Sequence, residues 1–172
     1  MSQSASPAEE GGHLHPHTFR DALAALAGGV AIVACQSADG PRGLLVSSLT
    51  GLSVEPPRLL FCVRKEAVTH DVLLRAATCS IAILGADDRL EAERFSRPDR
   101  SAQRFQDARW DLAADEPPLY RGGLVLLTGT IERTIDAETH SVFFVRAHHA
   151  ARRAGEPLVY FDRRYREFTM DR

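Results

Sequence analysis

The sequence predicts a mainly β protein, an antiparallel barrel of about six or seven strands with a few short helices. Three observations lead there. Apolar runs of strand length recur along the chain, separated by turn-forming residues rather than by long amphipathic segments. Two long alternating runs, residues 123–135 and 140–149, face each other across Asp136-Ala137-Glu138, a turn so short that the pair must be antiparallel. The helical stretches are short and do not alternate with strands as a parallel α/β sheet requires.

The elements follow in order. Residues 1–16 have almost nothing to bury and read as a disordered tail, which leaves residues 17–172 as a single domain. His13, His15 and His17 alternate there, and a solvated tail accounts for them better than a metal site. From Thr18, the residues Phe19, Ala22, Leu23 and Leu26 share one helical face, and Gly28-Gly29 supplies the stop. A strand over 30–35 turns at Ala38-Asp39-Gly40-Pro41 and pairs as a hairpin with a strand over 43–54. Glu55-Pro56-Pro57 ends that strand, because proline neither donates to a ladder nor continues a helix. The next run, 58–63, is mostly apolar and reads as buried on both faces. A helix over 67–76 would turn Val68, Val72 and Leu73 inward, and 79–84 has the composition of a core strand. Residues 88–106 are charged and helical in places, broken at Pro98; Trp110 follows in a loop over 108–120. After the long antiparallel pair, 157–161 is a short strand and Asp162-Arg163-Arg164-Tyr165 leads into the C-terminal tail.

Composition narrows the function. With 172 residues and 44% apolar content, the chain is long enough to bury a proper core. A net charge of −2 gives no electrostatic case for nucleic acid or an anionic membrane. No segment resembles a signal peptide or a membrane span, which places the protein in the cytoplasm. Cys35, Cys62 and Cys79 lie in apolar runs with no CxxC pair, so they read as buried reduced thiols.

The most informative stretch runs from 40 to 70. Its first apolar run is interrupted by Ser47, Ser48 and Thr50, where a purely structural strand would more often carry Val or Ile. In a continuous strand Ser48 and Thr50 face one side and Ser47 the other. Small hydroxyl residues suit a place where a polar ligand approaches the backbone; a solvated edge strand would look the same.

Much familiar chemistry is missing. No GxGxxG follows a strand, no GxxxxGK[ST] offers a phosphate loop, no HExxH or Cys/His cluster offers a metal, and no GxSxG offers a nucleophile. His148-His149 point to opposite sides of a strand and read as structural or solvent-facing. Such a protein either binds something or lends its shape to a cofactor that carries the reaction.

Six segments, in order, resemble the flavin reductase family, the FMN-binding split-barrel proteins that supply reduced flavin to two-component monooxygenases. They are Phe19-Arg20-Asp21-Ala22-Leu23, Gly29-Val30-Ala31-Ile32-Val33, Ser47-Ser48 with Ser53-Val54-Glu55-Pro56-Pro57, Arg104-Phe105 followed by Trp110, Thr139-His140, and the closing stretch from Pro157 to Tyr165. That stretch resembles the end of reductases serving hydroxyphenylacetate-type hydroxylases. The likeness covers nearly the whole chain from Phe19 to Tyr165.

The resemblance implies a homodimeric split β-barrel with flavin (FMN or FAD) near the subunit interface, and NADH or NADPH as the hydride donor. It implies contacts to the flavin ring or ribityl chain from Ser47, Ser48 and the backbone of Leu45 and Val46, and puts Cys62 and Val63 at the same cofactor. The loop from Arg64 to Thr69 would lie under the flavin phosphate, and His140 near the arriving nicotinamide. Two positions depart from the family pattern. Leu45-Val46 stand where members commonly have Thr-Ala, and Arg64 where many have Asn. Arg104 would meet either the nicotinamide cofactor's phosphates or, the reading favoured here, a surface acid. A flavoprotein with tightly bound FMN, or a non-catalytic flavin-binding module, is the alternative function.

Overall fold

The computed structural model describes residues 14–167. Most of the expected tail, residues 1–13, lies outside the described residues, while Pro16 already opens the first helix. The elements are α1 (Pro16–Ala24), β1 (Gly28–Gly29), β2 (Ala31–Ser37), β3 (Gly40–Val46), β4 (Thr50–Ser53), β5 (Arg58–Arg64), α2 (Val68–Arg75), β6 (Thr78–Ile83), α3 (Arg89–Ser96), β7 (Trp110–Asp111), β8 (Leu119–Tyr120), β9 (Val125–Ala137), β10 (His140–Arg152), β11 (Leu158–Phe161) and β12 (Arg164–Glu167). A short 3₁₀ turn, Pro98–Gln103, follows α3.

Seven strands form one antiparallel sheet in the order β3-β2-β6-β9-β10-β5-β4. Its two edges, β3 and β4, are joined by only Ser47, Ser48 and Leu49. A flat sheet of this width would hold its edges roughly 29 Å apart. The link from Val46 to Thr50 spans at most roughly 14 Å. The sheet must therefore roll until its edges meet, and the result is a barrel with a seam at residues 47–49.

The register alternates side chains between two cores. Ala31, Val33, Leu59, Phe61, Val63, Ile81, Phe143 and Val145 fill the barrel. Phe61 and Phe143 are direct cross-strand partners, with rings stacked at 5.4 Å. The other faces of β2 and β6, with Val30, Ile32, Ala34 and Ala82, are covered by Phe95 of α3, Trp110 and Tyr120. This is why 30–35 is an unbroken apolar run: β2 is buried on both faces. The expectation of two buried faces for 58–63 is corrected, since β5 alternates and Leu60 and Cys62 are half-buried.

Under α3 sit two buried carboxylates. Asp88 accepts from the Tyr120 hydroxyl, Arg109 Nη1 and the Gly85 N–H, each at 2.9 Å. Glu91 accepts from Trp110 Nε1 at 2.8 Å and Arg94 Nη1 at 2.7 Å. Burial is tolerated because each carboxylate is hydrogen-bonded and paired with arginine.

Three further expectations change. Phe19 and Leu23 of α1, and Leu26 just beyond its end, are exposed rather than buried, with Leu26 at 69%. Val68 is likewise outward at 84%, whereas Leu73 is fully buried and Val72 packs beside the barrel core. Asp162-Arg163 is a hairpin turn and not the start of a tail. Both residues have positive φ, and β12 returns along β11.

Candidate functional site

The ladder between β2 and β3 ends at Ala31 and Val46. Ser47, Ser48 and Leu49 then lie outside both neighbouring ladders, so the expected strand over 43–54 is interrupted where the hydroxyls cluster. A cleft of about 1070 Å³ opens on this seam. All nine residues singled out from the sequence line it: Leu45, Val46, Ser47, Ser48, Cys62, Val63, Arg64, Thr69 and His140.

Their local partners differ. Ser48 Oγ accepts the Cys62 N–H at 2.9 Å and donates to the Cys62 carbonyl at 3.3 Å, lacing the seam to β5. Its proton is thereby committed to the backbone, and Ser47, which is exposed, is the freer of the two hydroxyls. Thr69 Oγ1 donates to the Gly43 carbonyl at 3.2 Å, which fixes the start of α2 against β3. The first N–H groups of that helix have no intrahelical acceptor and lie at the cleft with Val68 and Thr69. Arg64 is exposed and pairs with Glu66 at 2.7 Å. His140 stands opposite Arg64 in the β5–β10 register, with Nδ1 2.9 Å from the Thr139 hydroxyl.

Other residues escaped the sequence reading. His70, buried, places Nε2 2.9 Å from Ser141 Oγ and Nδ1 3.0 Å from Asp71. This clasp ties α2, beside Thr69, to β10, beside His140. Arg104 does not meet a surface acid. Its guanidinium donates to the carbonyls of Arg94, Gly43, Phe95 and Arg97 at 3.1–3.2 Å. Three of these acceptors lie at the C-terminal end of α3, where carbonyls lack intrahelical partners and the helix dipole favours a cation. Burial presses this guanidinium's pKa below its ordinary value.

Opposite α2, Phe95, Pro98, Ser101 and Phe105 form the second wall. Gly43 lets that wall approach: a Cβ there would lie 2.8 Å from the Phe95 ring and 3.1 Å from that of Phe105. His148 and His149 are exposed on β10, far along the strand from His140. Burial pushes the Cys35 thiol up to about 11 and the Cys79 thiol up to about 12, while Cys62 stands on the cleft.

A sequence model of the flavin reductase like domain matches residues 23–169. The chain belongs to the flavin reductase family. It is 30% identical over 143 residues to the FMN reductase (NADH) SmoA of Agrobacterium fabrum, covering 83% of this chain and 80% of that protein. It is also 30% identical over 151 residues to the reductase component of a 4-nitrophenol 4-monooxygenase/4-nitrocatechol 2-monooxygenase of Rhodococcus opacus, covering 88% of this chain and 80% of that one. Among solved structures, NADH:FAD oxidoreductase SgcE6 of Streptomyces globisporus, in complex with NAD and FAD fragments, superposes with a TM-score of 0.83. It shares 29% sequence identity, with 90% of this chain and 93% of that one covered. The rolled antiparallel sheet is thus the flavin reductase fold.

The cleft suits the flavin of this family. Backbone groups at 47–48 lie outside the strand ladders, a cation stands at Arg64, helix N–H groups open beside Thr69, and an aromatic wall faces them. Among the described residues no helix is long and apolar enough to cross a membrane.

Proposed function

We propose that this chain is an NADH-dependent flavin reductase that passes reduced FMN or FAD to a partner monooxygenase. The convergence of all nine sequence-predicted residues on one seam cleft carries this reading. Flavin supplies the hydride-accepting ring. The protein's task is to hold that ring and orient the donor against it, for which it needs neither a nucleophile nor a dinucleotide fold of its own.

In this reading the backbone from Leu45 to Ser48 and the Ser47 hydroxyl bind the ring and ribityl chain, with Cys62 and Val63 alongside. Arg64, Thr69 and the first N–H groups of α2 receive the phosphate, where charge and helix dipole act together. His140, held through Nδ1 by Thr139, orients the nicotinamide.

The assembly in this reading is a homodimer. Apolar side chains left uncovered on one protomer support it: Phe19 and Leu23 on α1, Leu26 just after it, Val54 after β4, and Val68 on the cleft. A second copy over Val68 would complete the rim of the cleft.

Steady-state oxidation of NADH with FMN, FAD or riboflavin as acceptor tests the activity. Flavin-dependent turnover that chelator leaves unchanged is expected. Turnover abolished by chelator and restored by one metal ion would overturn the reading, and sedimentation showing a fully active monomer would remove the dimer.

A further inference from the structure

The first turn of α2 has no cap of its own. Ala67 stands at the N-cap and offers no side-chain acceptor, so the position of this turn depends on ties to the barrel. Thr69 Oγ1 donates to the Gly43 carbonyl of β3 at 3.2 Å. In the turn before the helix, the Lys65 N–H donates to the Thr139 carbonyl at 3.0 Å, and the Lys65 ammonium pairs with Asp136 near the end of β9. The last tie is buried: His70 is 4% exposed and its partner Ser141 is 3% exposed. Nε2 of the ring lies 2.9 Å from Ser141 Oγ, and Nδ1 lies 3.0 Å from the exposed Asp71 carboxylate.

Asp71, His70 and Ser141 have the connectivity of a hydrolase triad, but neither the serine nor the histidine lines the seam cleft. No substrate carbonyl reaches a hydroxyl so enclosed. Packing alone does not call for the pair either. Ser141 alternates along β10 with Phe143 and Val145 of the barrel core, and His70 shares a buried helix face with Leu73. The His70 ring meets Phe143 edge-on at 6.0 Å. Apolar residues at both positions would fill the same space, yet they would leave the helix free to slide and turn. A hydrogen bond between a buried ring and a buried hydroxyl is directional and admits one register.

We propose that His70 is a positioning residue for the flavin phosphate. By locking α2 to β10 through Ser141, it aims Thr69 and the first N–H groups of the helix at the phosphate. It thereby sets the preference for a phosphorylated flavin over the bare ring and ribityl chain. The proposal rests on the flavin-reductase reading of the seam cleft. His70 itself touches no flavin atom and acts through the helix.

Riboflavin carries the ring and ribityl chain of FMN without the phosphate, so the two flavins isolate this effect. The variant is His70→Phe with Ser141→Ala in the full-length protein. With both partners removed no buried polar group is left unpaired, so the denaturant midpoint should stay close to that of the unmodified protein, whereas either change alone should lower it. Fluorescence titration then reads the Kd of each flavin. The double variant is expected to bind FMN about tenfold more weakly, the scale of one weakened charge-assisted hydrogen bond, with riboflavin affinity held within about twofold. A merely structural role predicts instead that FMN affinity returns with stability. A folded double variant that keeps the FMN preference overturns the proposal, as does an equal loss for both flavins. His70→Gln, whose amide can still meet Ser141, is expected to keep most of the preference and decides the matter if the double variant does not fold. Loss of the preference in folded His70→Gln overturns the proposal. An unmodified protein that binds FMN and riboflavin equally removes the phosphate receptor and this role with it, and one that neither binds nor reduces flavin overturns the assigned activity as well.

Discussion

Ser48 and Cys62 are fourteen positions apart in the chain, yet one hydroxyl meets both backbone groups of the cysteine, accepting at 2.9 Å and donating at 3.3 Å. A side chain here does what a ladder hydrogen bond does elsewhere, and it does so at the point where the barrel closes. The seam is therefore a structural joint and, in the proposed reading, also the floor of the flavin cleft.

This separates the two serines experimentally. Ser48→Ala removes two half-buried hydrogen bonds and should cost about 1–3 kcal/mol of stability in denaturant unfolding. Ser47→Ala should leave stability within about 0.5 kcal/mol, while raising the flavin Kd about two- to tenfold through one lost neutral bond. The reverse pattern would exchange their assigned roles.

His140→Ala should spare flavin affinity and slow the hydride-transfer step by about tenfold, the scale of one lost orienting contact. Stopped-flow measurement reads flavin binding and flavin bleaching separately. Loss of binding with an unchanged bleaching rate would place His140 on the flavin rather than on the nicotinamide.

The cysteines should divide under alkylation of the native protein at mildly alkaline pH. Cys35 and Cys79 are buried with thiols raised to about 11 and about 12, so both stay unmodified. Cys62 should react, and saturating flavin should protect it. Mass spectrometry of the labelled peptides decides this, and labelling of Cys62 that flavin does not slow would put the flavin elsewhere.

The hydrogen bond from Arg109 to Asp107 holds that carboxyl at about 2, below its ordinary 3.8. A depressed folded-state pKa means the unfolded chain binds the proton more readily. The stabilisation is thus complete above about pH 5 and drains away as pH falls toward about 2. Asp107→Asn should lower stability at neutral pH and flatten its decline across that acid window, read as denaturant midpoints at successive pH values. An unchanged slope would show that other carboxylates govern acid unfolding.

Much of this was legible in residue order. The period-two runs and tight turns gave away the long β9–β10 pair. Ser47 and Ser48 marked the seam because a strand core has no use for adjacent hydroxyls. The aromatic wall was visible only as Arg104-Phe105 and Trp110, since its assembly depends on the arginine capping a helix end that packs from a distance. The His70–Ser141 clasp joins residues 71 apart, and no local pattern marks such a pair. Phe19, Leu23 and Leu26 stand exposed for a different reason: apolar periodicity marks one face of a segment without saying what covers it.

Trp110 is the chain's single tryptophan, and its ring lies 4.7 Å from that of Phe105, a residue lining the seam cleft proposed for the flavin. Indole emission overlaps flavin absorption, so an occupied cleft one aromatic ring away would extinguish the protein's intrinsic fluorescence. The same indole is clamped by Glu91 in the second core, and its emission wavelength would report the integrity of α3. The molecule thus carries its own optical gauge: brightness would follow the coming and going of flavin, and colour the soundness of the wall that receives it.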